Sequence, residues 1–179
     1  NKYIGTFSKI IRVISIVASF TLTPLYVAVV SFHSDILPGE YIITLASTRS
    51  GVPFNAFTEA IIVEFVTEAL REALIRVPKQ IGPAIGIVGA IIIGQAAIAA
   101  GIFSPLILIM SSLSLLTSFV APDYTIVNPL RILKFFMLAV TGIFGLLGFT
   151  MGLSFIATNI ISTNSFGVPY RAPYAPFNR

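Results

Sequence analysis

Hydrophobic runs of membrane-crossing length alternate with short polar breaks along this chain. Lys2, Lys9 and Arg12 precede an uncharged run over 13–32, long enough for a transmembrane helix of roughly 20 residues. Pro24 lies inside it and removes one backbone hydrogen bond, a loss that membrane helices tolerate where neighbours satisfy the freed carbonyl. His33 to Gly39 reads as a polar exit loop, Tyr41 to Ser47 as moderately apolar and too short to cross, and Thr48 to Gly51 as a turn. Pro53 opens a helical segment over 54–77 that ends at Pro78, with prolines placed as helix bookends. From Ile81 to Ala121 there is no Asp, Glu, Lys or Arg. Gly101 and Ser104-Pro105 divide that stretch into two spans, 83–101 and 105–121, read as a hairpin. Pro122, Asp123, Asn128 and Pro129 mark a polar connection. Arg131 and Lys134 then precede a last uncharged run, read as one span over 135–161, and 162–179 is a proline-rich, non-helical tail.

The pattern predicts an all-α, polytopic transmembrane helix bundle. It has four to five membrane helices, with 54–77 as an amphipathic acidic helix that is re-entrant or interfacial. Composition agrees: 56% of the 179 residues are hydrophobic and 10% charged, with mean hydropathy +0.95, against about 45–50% and about 25% for a soluble domain. The net charge of +4 does not signal nucleic acid, because the basic residues sit in short groups between apolar runs, as juxtamembrane anchors do. Cysteine is absent, so no disulfide or thiolate chemistry is expected. The chain begins with Asn1 and shows no cleavable signal pattern, and it is expected to be an internal piece of a longer protein. Counting positive charges puts the Lys2/Lys9/Arg12 end in the cytoplasm. The side reached by the tail depends on whether the 54–77 helix spans.

That helix carries Glu59, Glu64, Glu68 and Glu72. Its eleven Phe, Ile, Leu and Val residues favour the bilayer by roughly 3–7 kcal/mol, whereas Glu64, Glu68 and Arg71 cost roughly 8–10 kcal/mol. It is therefore expected to pack inside a bundle, border water or lie at the interface. At 100° per residue Glu64, Glu68, Arg71 and Glu72 share one side, and Glu59 points elsewhere. Glu68 with Arg71 and Glu72 with Arg76 have the spacing and order of favourable helix pairs. Three readings stay open: a solvated face of an interfacial helix neutralised by those structural ion pairs, salt bridges between subunits, and an acidic lining for a cation path. In the last, Glu64 or Glu68 is left partly uncompensated and repeated around an oligomer.

Gly82, Gly86, Ala90, Gly94, Ala97 and Gly101 form a small-residue stripe. It is read first as close helix packing; a dewetting gate around Gly86, Val88, Gly89, Ala90 and Gly94 is the alternative. Gln95 reads as an interhelical hydrogen-bond partner before an ion ligand. Ser104, Ser111, Ser114 and Ser118 share one face beside Thr117. Hydroxyls there either bond back to their own helix or a neighbour, or line water as part of an ion path. Gly142, Gly145, Gly148 and Gly152 read as packing, and His33 as a loop histidine with no metal role. The Walker A, G-x-S-x-G and Cys/His metal patterns are missing, so catalysis and cofactors are not expected.

Several segments carry a resemblance: Leu25-Tyr26-Val27-Ala28 with Phe32-His33, Gly51-Val52-Pro53-Phe54, and Leu70-Arg71-Glu72-Ala73 with Arg76 and Pro78. Ile85-Gly86-Ile87-Val88-Gly89-Ala90, Ile93-Gly94-Gln95-Ala96-Ala97 and Ser165-Phe166-Gly167-Val168-Pro169-Tyr170 before Ala175-Pro176 continue it. In combination the chain resembles the membrane domain of the A subunit of bacterial spore germinant receptors, the GerA family. An A-subunit-like relative encoded with the dipicolinic-acid channel of spores would match as well. Asn55, Leu74 and Pro83 depart from that pattern, which would place Pro, Gly and Gln there. The resemblance implies a large soluble domain before Asn1, a multi-pass location in the spore inner membrane and a ring, expected to be a pentamer. It implies a nutrient-gated channel that releases monovalent cations, with B and C receptor subunits as partners. The alternatives are an accessory ion channel amplifying germination, a secondary transporter and a non-conducting membrane scaffold.

Overall fold

The computed structural model describes residues 2–78, 82–120, 124–162, 164–165 and 168–169. It is helical apart from a two-residue antiparallel pairing of β1 (Asn164–Ser165) with β2 (Val168–Pro169). The helices are α1 (Lys2–Phe32), α2 (Gly39–Arg49), α3 (Ala56–Arg76), α4 (Gly82–Ala99), α5 (Pro105–Ser118) and α6 (Tyr124–Ser162), with a 3-10 turn at Ser34–Ile36.

Local chemistry explains most boundaries. Asn55 caps α3: its side-chain oxygen accepts from the Thr58 N–H at 2.8 Å, as a good N-cap does. The backbone turns extended at Val77, directly before Pro78. Gly101 adopts φ +67° after α4. The Gly101 N–H donates to Ile98 O at 2.9 Å and the Ile102 N–H to Ala97 O at 3.0 Å, the hydrogen-bond pair of a Schellman C-cap. Pro105 occupies the first turn of α5, where a missing N–H costs nothing.

Two stretches are apolar and long enough to cross a membrane by length and composition, Tyr3–Phe32 and Asn128–Ser162, and Pro105–Ser118 is a shorter apolar helix. The second does not run straight. Gly145 has φ +63° and ψ −138°, and the chain reverses there. Phe136 and Phe155 stack with centroids 5.9 Å apart, and a Cβ at Gly152 would meet Met137 Sδ at 2.7 Å. A continuous helix would hold these residues more than 20 Å apart at about 1.5 Å per residue. The run expected as one span over 135–161 is therefore two antiparallel arms, 124–144 and 146–162, about 31 and about 25 Å long. Gly148 and Gly152 are buried where the arms meet, and Gly142 lies against the Phe57 ring of α3.

The expected turn over 48–51 is also corrected: α2 continues through Arg49, and the turn is confined to Ser50 and Gly51.

α1 is the hub. It packs on both α5 and α6, while α3 lies against α1 and α5, and α4 meets the bundle through α3. Its first turns are exposed, whereas Phe20, Tyr26, Val27 and Ala28 are buried. One core cluster joins Tyr26 and Val27 to Ala60, Val63, Phe103, Ile107 and Leu138. A second joins Phe20 to Leu130, Met137 and Ile156.

Candidate functional site

α3 and α5 run in the same direction and antiparallel to α1, so their polar faces stack in levels between the helices. At the top, Glu59 is fully buried. It pairs with Arg49 Nη1 at 2.8 Å and accepts from the Ser104 N–H at 2.5 Å. Arg49 Nη1 also donates to the Tyr26 hydroxyl at 2.9 Å, which lies 3.4 Å from Ser104 Oγ. One level down, Glu64 is 3% exposed; Thr23 Oγ1 donates to its Oε1 at 2.6 Å and Lys134 Nζ lies 2.5 Å from its Oε2. Below it, Glu68 pairs closely with Arg131 and more distantly with Arg71, at 4.0 Å. Arg71 Nη2 donates to Ser118 Oγ at 3.0 Å, and its guanidinium sits 5.6 Å from the centre of the Phe119 ring.

The serine face of α5 completes this column. Ser104, Ser111, Ser114 and Ser118 are all buried. Ser114 Oγ donates across to Ser19 O at 2.6 Å, Ser118 Oγ back to Leu115 O at 2.6 Å, and Ser111 Oγ lies 3.4 Å from Thr67 Oγ1. Ile109, Leu113 and Leu116 on the same helix are exposed. The bundle thus encloses a polar column beside its two apolar core clusters and shows apolar side chains outward, the arrangement expected of membrane segments carrying ionisable groups.

The structure brings Glu59, Glu64, Glu68, Ser111, Ser114 and Ser118 into one column. Glu72 stands outside it, exposed and paired with Arg76 at 2.9 Å. Gln95 is exposed and is not the interhelical contact expected of it within this chain. A Cβ at Gly94 of the stripe, or at the gate candidate Gly89, would meet nothing within 4 Å, so neither position packs against another element among the described residues. Gly86 is half-buried, and the side chains of Val88 and Ala90 lie outside the described residues.

Neither Glu64 nor Glu68 is left uncompensated, as the cation-path reading supposes; each meets a cation from α6. Sequence reasoning missed those partners, Lys134 and Arg131, and Arg49. The available signal was that Arg131 and Lys134, three apart at the start of an apolar run, can match two glutamates four apart. Among the described residues no group of three or more His, Cys, Asp or Glu is placed to hold a metal ion.

The family model of the Bacillus/Clostridium GerA spore germination protein matches residues 1–179. Spore germination protein GerIA of Bacillus cereus is 41% identical over 170 residues, covering 95% of this chain and 26% of that protein. Spore germination protein KA of Bacillus subtilis (strain 168) is 37% identical over 175 residues, 98% of this chain and 32% of its own length. The membrane protein YfkQ of the same organism is 37% identical over 169 residues, 94% of this chain and 33% of that protein. The chain thus spans between about a quarter and about a third of the length of these three relatives. No solved structure matches it. A family match along the whole chain, with relatives aligned over nearly all of it, places this protein in the GerA family of spore germination proteins.

Proposed function

We propose that this chain is the membrane-embedded part of an A-type germinant-receptor subunit in the spore inner membrane. Copies assemble as a ring, expected to be a pentamer, that passes monovalent cations once a nutrient is sensed. B and C subunits act alongside it. The observation that carries this reading is the column of ion pairs, Arg49–Glu59 and Lys134–Glu64 with buried carboxylates and Arg131–Glu68 half-buried, inside a bundle whose outer face is apolar. Ionisable groups at membrane depth are expensive, and those that persist face the bundle interior or a water-filled path and mark ion or proton routes. The site candidates are therefore Glu59, Glu64 and Glu68 with the hydroxyls of Ser111, Ser114 and Ser118. Glu72 and Gln95 stand further out, and the small-residue stretch of α4 from Gly86 to Gly94 is the candidate gate.

The internal neutralisation of each buried carboxylate favours a second reading, in which the column is a rigid strut and the subunit a non-conducting scaffold for the other receptor subunits. Reconstitution separates the two. Full-length protein in liposomes is tested for potassium flux as wild type and as Glu64→Gln/Glu68→Gln. A conducting column predicts wild-type flux with altered rate or ion preference in the double variant. Correct assembly without flux supports the scaffold, and unchanged flux and selectivity remove the two glutamates from the path.

A further inference from the structure

The lower end of the column carries more cations than carboxylates. A cavity of about 10 Å³ between α1, α3, α5 and α6 is lined by Arg71, Arg131 and Lys134 together with Glu64 and Glu68. Three cations against two carboxylates leave one positive charge among the described residues that line it. None of the acceptors nearby bonds to the Nε–H of Arg71 or Arg131. Thr23 and Lys134 take the two oxygens of Glu64. Arg131 pairs closely with Glu68, which leaves Arg71 only the 4.0 Å approach. Ser118 Oγ accepts from Arg71 Nη2 and Ser114 Oγ bonds to Ser19 O, and neither accepts from an Nε–H. The Nε–H groups of both Arg71 and Arg131 are buried without a hydrogen-bond partner.

These are two independent deficits at one place. Buried N–H groups in native proteins almost always find an acceptor, and an excess positive charge in a half-buried cluster attracts an ion of opposite sign. The cavity has room for roughly one water-sized guest. A water molecule would accept from both N–H groups but leave the charge; a phosphate group is too large to enter whole. We infer that this cavity binds one small monovalent anion of halide size, held by the Nε–H groups of Arg71 and Arg131. Such an ion would tie α3 to α6 at the foot of the column, whether or not the column conducts.

The test is heat unfolding of the purified full-length protein in sodium chloride, sodium bromide and sodium gluconate at equal ionic strength. A saturable rise of several degrees in Tm in chloride and bromide, absent in gluconate and lost in Arg131→Gln, is the expected result. Equal Tm in all three salts overturns the proposal. Where Arg131→Gln does not fold, bromide-soaked crystals decide: an anomalous peak between the two guanidinium groups supports the site, and its absence rejects it.

Discussion

Glu64 illustrates how a single residue is held. It is 3% exposed and uses both oxygens, one toward Thr23 and one toward Lys134. Removing one partner of a buried pair leaves an uncompensated charge and costs about 3–5 kcal/mol, whereas replacing both by apolar groups is often neutral. Lys134→Met is therefore expected to destabilise the protein by about that amount. Glu64→Leu added to it should recover most of the loss, as read by denaturant unfolding in detergent. Equal stability of Lys134→Met and wild type would remove the pair from the core. Helical arithmetic placed Glu64 and Glu68 on one side of α3 and Glu59 elsewhere, and Glu59 does meet a different partner, Arg49. The same arithmetic finds partners only within a helix. It could pair Glu68 with Arg71 and Glu72 with Arg76, but not α3 with Lys134 or Arg131, which approach only once the chain has folded.

Among the elements, the reversal at Gly145 has the clearest consequence. Its φ of +63° with ψ −138° lies in a positive-φ region that is nearly glycine-only and costs of order 1–3 kcal/mol for a residue bearing a Cβ, and a Cβ there would also press on the Phe32 ring. Gly145→Ala should lower Tm by several degrees, because the penalty is both conformational and steric. A Tm unchanged from wild type would mean that the two arms do not fold back there. Asn55→Ala should cost about 1 kcal/mol through the lost cap at α3, also measured by unfolding. Hydropathy cannot register such a reversal, since both arms are equally apolar, and so 135–161 reads as one crossing. The glycines at 142, 145, 148 and 152 are the signal: their spacing reads as close packing, and the structure shows that at Gly148 and Gly152 the run packs upon itself. α2 was hidden for a different reason: it is short and none of its residues is buried, so no hydrophobic pattern marks its last turn or the arginine it delivers to Glu59.

For the molecule as a whole, the distribution of polarity governs everything else. Thr23, Thr141, Ser104, Ser111, Ser114, Glu59 and Glu64 are buried, while Leu113, Phe144, Leu147, Met151 and Phe155 are exposed. In water this arrangement would be costly on both counts, burying charge and displaying apolar surface. In a bilayer it is the arrangement that membrane segments with ionisable groups adopt. The chain contains no cysteine, so single spin labels can be introduced into it by cysteine substitution. The decisive measurement is the collision accessibility of labels at Leu113, Leu147 and Phe155, compared with one at Tyr3, in full-length protein reconstituted in lipid nanodiscs. The account predicts strong relaxation of the first three by oxygen dissolved in the lipid and little by a water-soluble nickel chelate, with the reverse at Tyr3. Efficient relaxation of Leu113, Leu147 and Phe155 by the nickel chelate would contradict it.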